Sequence, residues 1–273
     1  MAKTVLILGD QLSLDYISSL GTHPTEDTVL MVEDWSLVER KPYHRKKIAL
    51  VWSAMRHFRD ALETRGYTVV YRTKASMISC IAELRQPTVC IEPREQGIRE
   101  LLVAEGVTFE PDPYWFVSPS AFSEWMSSRK QPRLEQYYRM VRQQTGYLMD
   151  GEKPVGDVWN FDKENRKSFP KNHQAILQPS FAPDETTLDV LSIVKDIPNL
   201  TGDLDNFTEA VTRDTSLERL RWFVHYALAD FGRYEDAMSS RDMYGFHSIL
   251  SPALNLSLLS PAECIDAAVE AYA

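Results

Sequence analysis

The apolar positions of the first hundred or so residues come in short unbroken runs. Residues 4–8 (TVLIL) and 28–33 (TVLMVE) show no alternation, so both faces are expected to be buried, as in a parallel sheet. YTVVYRT (67–73), TVCIE (88–92) and VTFEP (107–111) read as three further strands. Between them the spacing becomes helical. Val51, Ala54, Met55, Phe58, Ala61 and Leu62 fall on one stripe over 50–64, and Gly66 follows as a C-cap. Shorter helices are expected around 75–85 and over 94–104, the second ended by Gly106. Strands alternating with helices imply βαβ units. Residues 1–112 are therefore expected to form an α/β domain, a doubly wound parallel sheet of five strands.

The pattern changes after residue 112. Residues 113–212 read as a connector, rich over most of its length in proline and large aromatics, with one amphipathic helix from about 133 to 146. Its aromatics argue for order. From 213 to 273 the chain turns helical again. Thr215 and Glu218 form a T-x-x-E capping box, and Leu217, Leu220, Phe223, Val224, Ala227, Leu228 and Phe231 supply a stripe that Gly232 ends. A last helix is expected over 261–273, with Pro261 in its first turn. So few helices bury their own faces poorly, and this part reads as the opening of a larger domain.

Composition narrows the classes. The 273 residues are 44% hydrophobic and 25% charged, the profile of a globular protein with room for a sizeable core. The net charge of −9 repels a phosphate backbone over most of the surface, so nucleic acid needs a local basic patch or a part of the molecule outside this chain. Three scattered cysteines, Cys80, Cys90 and Cys264, form no C-x-x-C pair, which argues against a metal site and fits a reducing cytoplasm. The start MAKTVLILGDQ is not patterned as a signal peptide, and no apolar run approaches membrane-spanning length.

Candidate chemistry gathers at strand ends. Gly9-Asp10-Gln11 follows the first strand, where open α/β sheets bind ligands; the alternative is a tight turn capped by Asp10. Without G-x-G-x-x-G or a P-loop, a dinucleotide or triphosphate on this loop is disfavoured. Glu33 and Asp34 end the second strand and suit either acid–base work or turn capping. RKPYHRKKIALVWSAMRHFR (40–59) is the densest basic run, either an anion contact or a solvated lead into a helix. His57, beside the apolar stripe, reads as a packed helix residue. In WNFDKENR, Trp159, Phe161 and Asn165 suit base stacking and bonding, or pin the connector to the core. FHSILSPALNLSLLSP (246–261) places serines before proline, as an anion site or as plain caps.

Taken together, VLILGDQLS, HRKKIALVWSAMRHF, the EP at 92–93, LEQYYRMVRQQTGYLMDGEKPVGDVWNFDKENR and FHSILSP, in this order, resemble the photolyase-related proteins of bacteria. That is the cryptochrome and photolyase branch that includes the iron–sulfur (6-4) photolyases. The resemblance implies a Rossmann-like antenna domain (1–112), an interdomain connector (113–212) and the start of a helical FAD domain (213–273). It implies a lyase: blue light excites reduced flavin, which passes an electron to a pyrimidine lesion flipped out of UV-damaged DNA. The branch commonly carries a lumazine antenna and a [4Fe-4S] cluster.

By this resemblance Gly9, Asp10 and Gln11 line the antenna pocket, Val51 and Trp52 supply apolar wall, and Glu33 and His44 are polar neighbours. Lumazine-bearing members offer a carboxylate where this chain has Leu37, with Glu39 shifted, which leaves a different antenna or an empty pocket open. Tyr234, His247, Ser248, Leu250 and Ser251 resemble part of the flavin phosphate site. The remaining flavin contacts, the electron-transfer tryptophans and the cluster cysteines are expected beyond Ala273. No catalytic or metal residue is assigned in this chain, and none of its cysteines matches a cluster ligand. It reads as the first half of a photolyase, expected by itself to hold no stable FAD site, no cluster and no repair activity. A light-sensing bacterial cryptochrome and a stand-alone chromophore- or nucleotide-binding module are the alternatives. UV-damaged DNA and a small chromophore are the expected partners, with no membrane and with the oligomeric state open.

Overall fold

The computed structural model describes residues 2–272. The first part alternates as expected: β1 (Thr4–Leu6), α1 (Leu14–Ser19), β2 (Thr28–Asp34), α2 (Trp35–Arg40), α3 (Arg45–Thr64), β3 (Thr68–Ala75), α4 (Met77–Leu84), β4 (Thr88–Ile91), α5 (Gln96–Ala104) and β5 (Thr108–Glu110). Next come α6 (Pro119–Ser127), α7 (Leu134–Thr145) and a small hairpin of β6 (Met149–Asp150) and β7 (Lys153–Pro154). The chain continues through α8 (Glu185–Lys195), α9 (Arg213–Trp222), α10 (Leu228–Phe231), α11 (Ser251–Asn255) and α12 (Pro261–Tyr272). The helix expected over 261–273 thus covers the described residues, and Ala273 lies outside them.

Two compact units emerge. The first contains the residues up to Asp112, Ser180–Leu217 and Ser251–Leu259; the second contains Pro113–Pro179, Glu218–Leu250 and the residues from Ser260 onward. The connector is therefore more helical than its proline content suggests. Asp184 caps α8 by accepting from Thr187 N at 2.9 Å, and α8 packs along α3 within the first unit.

The first unit is a five-stranded, all-parallel sheet in the order β3-β2-β1-β4-β5, the doubly wound α/β fold expected. Leu6, Leu30, Val32 and Cys90 share one face with Met77 and Ile81 of α4 and Leu102 of α5. Val5, Ile7, Val29 and Met31 alternate to the other face, and α3 packs on β2 and β3. Gly66 closes α3, its φ of +82° requiring glycine, and Tyr67 N reaches back to Leu62 O.

One buried carboxylate fastens the start of the sheet. Asp27 accepts from Lys3 N at 3.0 Å and from His23 N at 2.9 Å. Burial pushes its pKa up, but the two backbone bonds together with the charges of Lys3 and His23 outweigh it and hold the carboxyl below its ordinary 3.8. A depressed folded pKa contributes stability that is present above the unfolded value and is lost as the pH falls through the folded one. Asp27→Asn is therefore expected to lose about 1 kcal/mol at neutral pH. In denaturant titrations the gap to the wild type should close below pH 3.8. A gap that persists unchanged into acid would contradict this role.

In the second unit Trp125, Phe122 and Tyr137 pack α6 on α7, with ring centroids 5.0 Å apart in the Phe122–Tyr137 and Trp125–Tyr137 pairs. Arg139 lies over the Trp159 ring at 5.0 Å, and Asn165 donates to Glu235 at 2.6 Å, while Phe161 is exposed. The WNFDKENR block is thus largely spent on holding its own unit. The helix expected from the Thr215–Glu218 box starts earlier, at Arg213. There Thr212 and Thr215 cap one another, each backbone N–H bonding the other's hydroxyl at 3.2 Å. Its stripe does not run straight to Phe231 either: a π turn over Phe223–Ala227 shifts the register before α10.

Candidate functional site

The strand order reverses between β1 and β4, and that is where an open α/β sheet leaves a crevice at its carboxyl end. A cavity of about 900 Å³ occupies it. The exits of β1 (Leu8, Gly9, Asp10) and β4 (Pro93, Arg94) form its base, with Val51, Trp52 and Met55 of α3 on one side and Ile98 and Leu101 of α5 on another.

The β1 exit is shaped by close packing. A Cβ on Gly9 would lie 2.8 Å from Val51 Cγ1, so only glycine lets the loop approach α3 this closely. Asp10 follows, with its side chain at the cavity. Burial raises its pKa most; Arg94 and a hydrogen bond from its own backbone N–H pull it down, and Asp112 and Glu95 raise it further. Its backbone oxygen accepts from Ser257 Oγ at 2.7 Å, and Leu12 N donates to Leu256 O at 3.0 Å. Asn255 and Leu256 thereby become part of the cavity wall.

Arg94 organises the polar side. Its Nε donates to Asp112 Oδ2 at 3.0 Å, and its Nη2 donates to Tyr16 Oη at 2.8 Å and to Ser257 Oγ at 3.1 Å. Tyr16 donates to Asp112 Oδ1 at 2.8 Å, and burial pushes its pKa up, so it remains a donor. On the opposite wall Trp52 is stacked by Trp35, with centroids 5.7 Å apart and an interplanar angle of 27°.

Of the antenna residues expected from the sequence, Gly9, Asp10, Val51 and Trp52 meet at this cavity. Gln11 lies beneath it: its Nε2 donates to Ile91 O at 2.9 Å and its Oε1 accepts from Leu8 N at 3.3 Å, tying the β1 exit to β4. Glu33 is buried against Arg56 and Tyr71, outside the cavity lining. His44 is the N-cap of α3, accepting from Lys46 N at 3.2 Å, and its ring fills the space a Cβ on Gly202 would need. Arg94, Asp112 and Ser257 have no place in the sequence reading. The legible signal was Arg94 at the exit of β4, the mirror position of Asp10 on β1.

The expected flavin-phosphate residues are separate from this cavity. Tyr234, His247, Ser248 and Leu250 belong to the second unit, and Ser251 opens α11 in the first. Tyr234 stacks on Phe246 at 5.4 Å, His247 meets the edge of Phe231 at 5.9 Å, and Ser248 Oγ accepts from Leu250 N at 3.4 Å. The hydroxyls of Tyr234, Ser248 and Ser251 and the imidazole of His247 are groups able to donate to phosphate, and Leu250 has only its backbone N–H. A four-cysteine cluster does not fit the donor set of this chain. Cys80 and Cys90 are buried in the first unit, Cys264 lies in the second, and burial raises the thiol pKa of all three, to about 11 at Cys264. Among the described residues no group of three or more His, Cys, Asp or Glu side chains is arranged to hold a metal ion, and no helix is long and apolar enough to cross a membrane.

Comparison with known proteins points the same way as the fold. The chain is 35% identical over 290 aligned positions to the (6-4) photolyase of Agrobacterium fabrum, covering all of this chain and 57% of that protein. It is 24% identical over 164 positions to an uncharacterized protein of Acanthamoeba polyphaga mimivirus, covering 53% of this chain and 84% of that one. The chain thus spans little more than half the length of the photolyase it matches. Residues 5–208 match the deoxyribodipyrimidine photo-lyase-related family, and with the photolyase match across the whole chain they show that the protein belongs to that family.

Proposed function

We propose that the switch-point cavity holds a planar antenna chromophore in a protein that, at full length, is a blue-light-driven, FAD-dependent DNA photolyase repairing UV pyrimidine lesions. The observation that carries the chromophore reading is the cavity itself, about 900 Å³ with aliphatic and indole walls and the buried carboxyl of Asp10 at its base. The likeness to a protein named (6-4) photolyase supports the repair reading.

The chain's own residues divide the work. Trp52, backed by Trp35, offers a flat apolar face to a ring. Asp10, its pKa raised by burial, offers both a donor and an acceptor to a ring edge of the lumazine type when its carboxyl is neutral. Arg94 and Ser257 hold the loop that carries Asp10. Gln11 and His44 support these elements from behind, and Glu33 stiffens the sheet under α3. Flavin, when bound, would supply the light-driven electron, with Tyr234, His247, Ser248 and Leu250 of the second unit on its phosphate side. Any [4Fe-4S] cluster draws its ligands from outside this chain. UV-damaged DNA is the partner of the full-length protein.

Acid extraction of the purified full-length protein, followed by mass spectrometry, tests the chromophore reading. A second aromatic chromophore besides flavin is expected in near-stoichiometric amount. Flavin alone, from protein in which the cavity accepts no added chromophore, would contradict it.

A further inference from the structure

The basic run at 40–59 is only partly absorbed by the fold. Arg45 donates to Leu200 O and Gly202 O, Arg56 pairs with Glu33 and Asp189, and Arg59 pairs with Asp60. Three other cations of the run, Arg40, Lys41 and Lys47, line the opening of the cavity and are exposed there. They come from the end of α2, the turn after it and the first turn of α3. Lys41 reaches Glu95 across the opening at 3.9 Å. Glu100, on the α5 side, is bonded by Gln96. No carboxylate pairs with Arg40 or Lys47 among the described residues, and Lys47 Nζ is steadied over the Tyr43 ring at 5.0 Å. In a chain of net charge −9, two uncompensated cations at the mouth of an apolar cavity mark a place for negative charge.

We propose that the cavity selects a planar heteroaromatic ligand whose tail ends in a phosphate monoester, with the ring between the α3 and α5 walls and the phosphate held by Arg40 and Lys47. The inference rests on the cavity being the chromophore site and adds the chemical class of its ligand. Guanidinium and ammonium donors give charge-assisted bonds to phosphate oxygens, and a neutral polyol tail forgoes them. Because both cations are exposed, the preference must weaken with salt.

The test uses full-length protein whose cavity has been cleared of co-purified chromophore by gel filtration at high ionic strength. Two matched pairs are titrated: flavin mononucleotide against riboflavin, and adenosine monophosphate against adenosine. Quenching of Trp52 fluorescence reports binding at this cavity, and Trp52→Phe identifies its share of the signal. The phosphorylated member of at least one pair is expected to bind on the order of tenfold tighter than its parent. That ratio should fall toward one in Arg40→Gln/Lys47→Gln and in high salt, while the parent's affinity stays unchanged. Equal affinity within both pairs would overturn the phosphate inference and leave the chromophore cavity standing. If no member of either pair binds and a neutral lumazine does, the phosphate inference again fails alone. If none of these rings binds, both readings fall.

Discussion

Replacing Glu33 by Gln is expected to cost about 3–5 kcal/mol of folding stability. Glu33 is almost fully buried and accepts from Arg56 Nε at 2.6 Å, from Arg56 Nη2 at 3.2 Å and from Tyr71 Oη at 2.8 Å. The amide keeps the shape and removes the charge, leaving the buried guanidinium of Arg56 with its exposed partner Asp189 alone. Tyr71 cannot compensate: burial pushes its pKa up first, and the Glu33 charge pushes it further. Most of the expected loss is the cost of an unmatched buried cation, so Glu33→Gln/Arg56→Met should recover a large part of it. Urea unfolding of the single and double variants measures both. A loss below about 1 kcal/mol for Glu33→Gln, the range of a surface pair, would show that water reaches this site.

Val51→Trp is expected to abolish chromophore retention while leaving the fold intact. Val51 Cγ1 already leaves no room for even a Cβ on Gly9, so an indole at this position cannot turn toward the β1 loop. The open direction is the cavity, beside Asp10 and Trp52. Blocking the ring position should weaken chromophore binding by about hundredfold or more, roughly 3 kcal/mol. Circular dichroism checks the fold, and absorbance of the purified protein reads the chromophore. A chromophore band equal to that of the wild type would place the chromophore elsewhere.

These two sites differ in how far the sequence reveals them. The five strands are legible because β1 and β2 are apolar on both faces, and the helical spacing between them forces parallel crossovers. The start of α8 is legible in DETTLDVLSIVK, where Asp184 caps Thr187, but the flanking prolines give the whole stretch the pattern of a connector. Asp10 is legible as a polar residue at a strand end beside the switch point. Glu33 and His44 are equally polar and equally near in sequence, yet their side chains are spent on Arg56 and on the α3 cap. Only tertiary pairing decides between such outcomes. Ser257 shows the same limit: it reaches the Asp10 loop from far along the chain, held at a left-handed φ of +59° that no local pattern announces.

Light-driven repair by the full-length protein is proposed from the likeness to a (6-4) photolyase. The most direct measurement exposes the full-length, flavin-loaded protein and an oligonucleotide carrying a (6-4) photoproduct or a cyclobutane dimer to blue light, with dark controls, and follows lesion loss by chromatography. The account predicts that one of the two lesions reverts to intact pyrimidines only under illumination. Binding of the damaged strand with no light-dependent reversal of either lesion would contradict it.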